Sequence, residues 1–109
     1  MLTINLSDED VFCAVAGAGA SQYEWYHTFG IDWENNRLTI RMDAEVDGDI
    51  EGAVLTPRSI RQAIRDLHAV NYPCIVSIDW SDPECDSDLD ADGADCIIQQ
   101  AVLGKVVFG

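Results

Sequence analysis

The apolar and polar positions of this chain change period several times, and each change predicts an element. Residues 2–6 alternate, with Leu2, Ile4 and Leu6 on one parity, and predict a short opening strand. Ser7 ahead of Asp8, Glu9 and Asp10 predicts a helix over about 8–17, a hydroxyl cap followed by carboxylates at the positive end of the dipole. Val11 and Val15, with Phe12 and Ala14, form its apolar stripe, and Gly17, Gly19 and Ala20 end it. From about 24 to 42 the period is two. Trp25, His27, Phe29, Ile31 and Trp33 share one parity and Leu38, Ile40 and Met42 another, the pattern of a β-hairpin. Asn35-Asn36 fits its two-residue turn, with Glu34 and Arg37 flanking it as a cross-strand pair and Gly30 marking a bulge. One or two further strands are expected, at 50–55 and at the edge within 70–80, where Ile75, Val76 and Ile78 follow Pro73.

Thr56-Pro57 opens a helix over about 57–69, a cap residue followed by proline at the first helical position. Its apolar face is Ile60, Ala63, Ile64 and Leu67, and Arg58, Arg61 and Arg65 fall on the opposite face. A last helix, about 92–103, carries Ala94, Ile97, Ile98, Ala101 and Val102 at helical spacing and ends before Gly104. The pattern is α+β: a small antiparallel sheet packed with about three helices, in one domain over 1–109.

Charge changes what this fold is expected to do. Twenty acidic residues against six basic ones give a formal charge of −14, yet 48% of the chain is apolar, so it folds rather than remaining disordered. The sign repels phosphate, which excludes direct nucleic-acid binding and anionic membranes and favours a partner with a basic surface. No apolar stretch approaches the roughly 20 residues of a membrane span. The acidic start lacks an export signal, so Cys13, Cys74, Cys85 and Cys96 are expected as reduced thiols in a cytoplasm. Their spacings do not match the close pairs of a zinc site, and Cys13 and Cys96 are expected as small buried hydrophobes.

The densest charge lies in residues 79–95, with eight carboxylates and no basic residue: Asp79, Asp82, Glu84, Asp86, Asp88, Asp90, Asp92 and Asp95. Three readings compete. Asp88, Asp90 and Asp92 followed by Gly93 match the first half of a calcium loop, in which alternate carboxylates ligate a hard cation and glycine permits the turn. The second half departs, with Asp95 at the eighth position and neutral Gln99 at the twelfth. In the second reading Asp92 and Asp95 stabilise the first turn of the last helix and the rest is a hydrated loop. In the third the carboxylates form a surface. Alternate residues of a strand point the same way, about 6.6–6.8 Å apart, so Glu45, Asp47, Asp49 and Glu51 would line one edge. Asp82, Glu84, Asp86, Asp88 and Asp90 share the same even spacing, and together the two rows would imitate a DNA backbone.

Catalysis finds little support. His27 falls among aromatic positions, and His68, near a helix C-terminus, reads as a dipole-compensating residue. No nucleophile elbow, phosphate loop or metal-ligand cluster is present, so the chain is read as a non-enzyme without a cofactor. The arginine face is expected to pair with the protein's own carboxylates, Asp66 among them, or to meet an acidic partner or second copy.

The closing stretch Asp90-Ala91-Asp92-Gly93-Ala94-Asp95-Cys96-Ile97-Ile98-Gln99, continuing through Gly104 to Phe108-Gly109, resembles a family of small uncharacterised actinobacteriophage proteins. Leu55-Thr56-Pro57-Arg58-Ser59-Ile60-Arg61 resembles the same family's helix start, and the strand near Trp25 falls where that family has an aromatic-rich strand. Leu103 and Lys105 depart from the aromatic and acidic residues of that pattern. The resemblance implies a phage accessory protein in the host cytoplasm and assigns no site residues. With the charge, it favours an inhibitor of a nucleic-acid-binding host protein, acting through Glu45, Asp47, Asp49, Glu51, Asp82, Glu84, Asp86, Asp88 and Asp90. The rivals are calcium binding at Asp88, Asp90 and Asp92, and a self-associating structural or virion-accessory protein.

Overall fold

A computed structural model of the protein describes residues 2–17, 26–42 and 52–106. In chain order the elements are α1 (Asp8–Ala16), β1 (Tyr26–Asp32), β2 (Arg37–Met42), β3 (Gly52–Leu55), α2 (Pro57–Ala69), the one-turn α3 (Pro73–Val76), a 3-10 helix (Cys85–Asp88) and α4 (Ala91–Leu103). The strands form an antiparallel sheet in the order β1-β2-β3. The α+β architecture is therefore the one the periodicities predict.

The caps explain where the helices begin and end. Asp10 N donates to the Ser7 hydroxyl at 3.1 Å, and Gly17 closes α1 by donating to Cys13 O at 2.8 Å. Thr56 and Ser59 satisfy each other's backbone N–H groups in a capping box, with Pro57 in the first turn of α2. Gly104 takes φ +75° after α4, a conformation that costs an L side chain and suits glycine.

The core is one apolar cluster. Leu38, Ile40 and Leu55 supply the sheet's buried face. Val11, Phe12 and Val15 come from α1, Ile60, Ile64 and Leu67 from α2, and Ile97 and Ile98 from α4. The three long helices pack on one another, and α4 also reaches β3. Val54, on the sheet's other face, is half-exposed. Gly30 marks an irregularity as expected, because the β1–β2 register slips between Thr28 and Gly30.

Four local expectations are corrected. Residues 2–6 bury Ile4 and Leu6 in alternation but form no strand; Asn5 N donates to Trp80 O at 2.8 Å and Asn5 Nδ2 to Ser81 O at 3.1 Å. The alternation reflects one-sided burial, and the hydrogen-bond partner is a turn, not a sheet. Within 70–80 there is no edge strand. Asn71 at φ +57° and Pro73 at the helix start turn the chain into α3, where Ile75 N and Val76 N both donate to Tyr72 O. Local turn chemistry overrides the β-branched run.

The hairpin turn is the third correction. Asp32, not Glu34, stands opposite Arg37, so the loop spans residues 33–36. The Asp32 carboxylate accepts from Asn35 N at 3.1 Å and Asn35 Nδ2 at 2.8 Å, and Asn36 takes φ +53°. These bonds end the strand early and place Trp33 edge-on against Phe12, ring centroids 5.7 Å apart. The Asn35 side-chain and backbone bonds hold the Asp32 carboxyl below the usual carboxylate range. A carboxylate held low in the folded chain favours folding above its ordinary range, and that benefit fades as pH falls through the lowered value. A carboxyl-carbon NMR titration is expected to show Asp32 ionising at lower pH than in Asn35→Ala.

The fourth concerns the partner on the arginine face: Arg61 pairs with one of the protein's own carboxylates, as expected, but with Asp8 and not Asp66. Arg61 does not point away from the fold. Its Nη2 donates to Leu6 O at 2.7 Å and pairs with Asp8 Oδ1 at 3.0 Å, tying α2 to the start of α1. Arg65 is half-buried, its Nε without a hydrogen-bond partner among the described residues, while Arg58 is exposed. Asp66 accepts from Gln62 Nε2 rather than from an arginine.

Candidate functional site

The segment from 79 to 90 is a series of turns and a 3-10 helix, so its carboxylates are not spaced as on a strand. Each turn uses short side chains to satisfy backbone donors. Asp79 Oδ1 accepts from Ser81 N at 3.1 Å and from the Ser81 hydroxyl, and Asp82 Oδ1 accepts from Glu84 N at 2.9 Å. The 3-10 helix then buries Cys85 completely while Glu84 and Asp88 stay exposed and Asp86 is half-exposed. Charged heads point outward because one apolar residue per turn anchors the backbone. Trp80 holds the segment at its start, its indole N–H donating to Ile75 O at 2.9 Å, and Leu89 holds it at its end.

Asp90 is the N-cap of α4, a role the charge pattern did not single out. Its Oδ1 accepts from Gly93 N at 2.7 Å. Replacing Asp90 with Ala is expected to cost about 1 kcal/mol, read as a lower denaturant midpoint at unchanged m-value. Asp92 lies in the first turn as expected. Asp95 does not; it sits a turn further in, only 5% exposed, and accepts from the fully buried Gln99 amide at 2.7 Å. A helix beginning at Ala91 turns Asp95 and Gln99, four residues apart, onto one inward face.

This arrangement does not assemble the calcium loop. Among the described residues no three histidine, cysteine, aspartate or glutamate side chains are grouped to hold a metal ion, so Asp88, Asp90 and Asp92 do not converge. The Asp90 carboxylate caps a helix, and Gly93 lies buried inside α4 rather than at a sharp turn. A Cβ at Gly93 would come within 2.8 Å of Leu89 Cδ1.

The structure instead joins two acidic segments far apart in sequence. The 3-10 helix packs against α1, and between them lies a shallow cleft of about 260 Å³ lined by Cys13, Ala14, Gly17, Asp86, Ser87 and Leu89. Burial pushes the Cys13 thiol up, and the charges of Glu9, Asp10 and Asp86 push the same way. Burial also raises Cys85, helped by Asp82 and Asp86. One negative field therefore covers the first turn of α1 and the 3-10 helix. The sequence assigns Asp8, Glu9 and Asp10 only to the helix dipole; the gathering of Glu9, Asp10 and Asp86 around Cys13 depends on how α1 packs, while Asp8 pairs with Arg61.

Of the residues expected to form the acidic surface, Asp82, Glu84, Asp88 and Asp90 are exposed and Asp86 borders the cleft. Glu45, Asp47, Asp49 and Glu51 lie outside the described residues, as does Trp25. Cys13 and Cys96 are half-buried rather than core residues, and Cys85 takes the fully buried place. No described helix is long and apolar enough to cross a membrane.

Fold and surface together define a small, strongly acidic α+β protein whose negative charge gathers on turns and helix starts. No family model, curated protein or solved structure matches the chain.

Proposed function

We propose that this chain is a non-catalytic accessory protein of phage type that binds a basic surface on a host protein in the host cytoplasm. Its carboxylates would occupy a site built for the phosphates of nucleic acid and so inhibit it. The observation that carries the reading is the acidic surface gathered where the 3-10 helix packs against α1: exposed Asp82, Glu84, Asp88 and Asp90 with Asp86, and exposed Glu9 and Asp10 of α1. Glu45, Asp47, Asp49 and Glu51 belong to the same proposal through their charge alone. Clefts that bind phosphate gain affinity by releasing counterions, and a dense carboxylate surface competes on the same electrostatic ground.

The test is affinity capture from an actinobacterial lysate on the immobilised protein, with a salt gradient for elution. A single basic protein eluting as ionic strength rises, and displaced by duplex DNA, is the expected result. A partner that resists both salt and DNA would sink the mimicry reading.

A further inference from the structure

The helix-covered face of the sheet is left open at the turn end of the hairpin. Ile31 stands opposite Leu38 in the β1–β2 register, and directly opposed residues of an antiparallel pair point to the same face. Leu38 is buried, yet Ile31 is 36% exposed. Two residues on, Trp33 sets its ring edge-on against Phe12 of α1 and remains 51% exposed. A single exposed apolar side chain is ordinary on a protein surface. Here the setting is what points to a partner.

That setting is acidic. Asp32 and Glu34 flank Trp33 in the chain, and both are exposed. On α1, Asp8 and Glu9 lie four and three positions before Phe12, and helical side chains lean toward the N-terminus. Phe12 therefore leans over the turn that carries them, and Trp33 packs on Phe12. Two cations answer part of this charge: Arg37 stands opposite Asp32, and Arg61 pairs with Asp8. The exposed carboxylates of Glu9, Asp10 and Glu34 are left in excess. The same helix joins the spot to the acidic cleft, because Cys13, next after Phe12, lines that cleft with Asp86.

We propose that Trp33, with Ile31, is the apolar anchor of the partner interface, and that its occupant is a lysine- or arginine-rich protein segment presenting an apolar side chain. The inference rests on the acidic-surface reading and adds a second requirement to the partner. Charge complementarity selects this occupant. A second copy of the chain brings a formal charge of −14 of its own and is repelled, as is an anionic membrane. The carboxylates speed encounter and weaken as salt rises, whereas the anchor acts through buried apolar area. Tryptophan is the residue type on which interface energy most often concentrates.

The test titrates the isotope-labelled whole chain with two synthetic peptides. One is a lysine peptide bearing leucines one helical turn apart; the other carries glutamine at those positions and the same charge. Both are expected to bind, the leucine peptide about tenfold more tightly, the size of effect a single anchor supplies. The Trp33 indole N–H resonance shifts with the leucine peptide, while that of buried Trp80 stays in place. W33A, its fold checked by a thermal melt, keeps its affinity for the glutamine peptide and loses the preference; if W33A does not fold, the Trp33 resonance decides. Equal affinities, an unmoved Trp33 resonance, or a preference that survives in folded W33A would each overturn the anchor while leaving the charge reading in place. Failure of both peptides to bind would remove the two together. A Trp33 resonance that moves with protein concentration alone would assign the spot to a second copy and overturn the proposal.

Discussion

Replacing Trp80 with Ala lowers stability by about 3–5 kcal/mol, the usual cost of truncating a fully buried tryptophan. Trp80 is 2% exposed, and its indole N–H is bonded to Ile75 O. Its own carbonyl accepts from Asn5 N, so this residue links the N-terminal segment, α3 and the start of the acidic run. Domains of this size have about 5–15 kcal/mol in total, so the variant stands near the edge of unfolding. At about 4 °C or more per kcal/mol, Tm falls by at least about 12 °C. Trp80→Phe keeps a buried ring and loses the donor, and its cost is expected near 1–2 kcal/mol. A melt of Trp80→Ala within a degree or two of the parent would show that the indole is not part of the cooperative core.

Neutralising Asp82, Glu84, Asp86 and Asp88 together, as D82N/E84Q/D86N/D88N, has the opposite signature. The formal charge moves from −14 to −10. Asparagine retains the oxygen that accepts from Glu84 N, and Asp90 is spared because it caps α4. Stability is therefore expected to hold, or to rise slightly at low salt as like-charge repulsion falls. Affinity for the captured basic partner drops by roughly 4- to 900-fold, from four surface ion pairs at about 0.2–1 kcal/mol each. Its salt dependence becomes shallower. Calorimetric titration at two ionic strengths measures both effects. Unchanged affinity with the fold intact would remove these four carboxylates from the interface and leave the Glu45, Asp47, Asp49 and Glu51 row to be tested next.

Much of the fold was legible because local rules and tertiary packing agree there. Ser7, the Thr56-Pro57 pair and Gly104 each satisfy or release a backbone group at a helix end, and α2 spans the predicted residues 57–69. The register slip at Gly30 was equally readable. Where reading failed, a nearby side chain competed with the period. Asp32 ended β1 two residues before the expected turn, and Asn71 with Pro73 diverted a β-branched run into α3. Asp90 took the cap that moved Asp95 from helix start to helix interior.

The sequence by itself determined the net charge, the apolar stripes and most helix ends, because these depend on composition and on neighbours within one or two turns. Only the tertiary structure decided which of the crowded carboxylates face water and which are inside. Asp90 and Asp95 carry the same group, yet one is exposed and caps a backbone N–H while the other is buried against an amide. The packing of the 3-10 helix on α1, which sets Asp86 and Cys13 on one cleft, belongs to the same level. It brings together residues far apart in the chain, and the core's packing sets that distance, which no local period encodes.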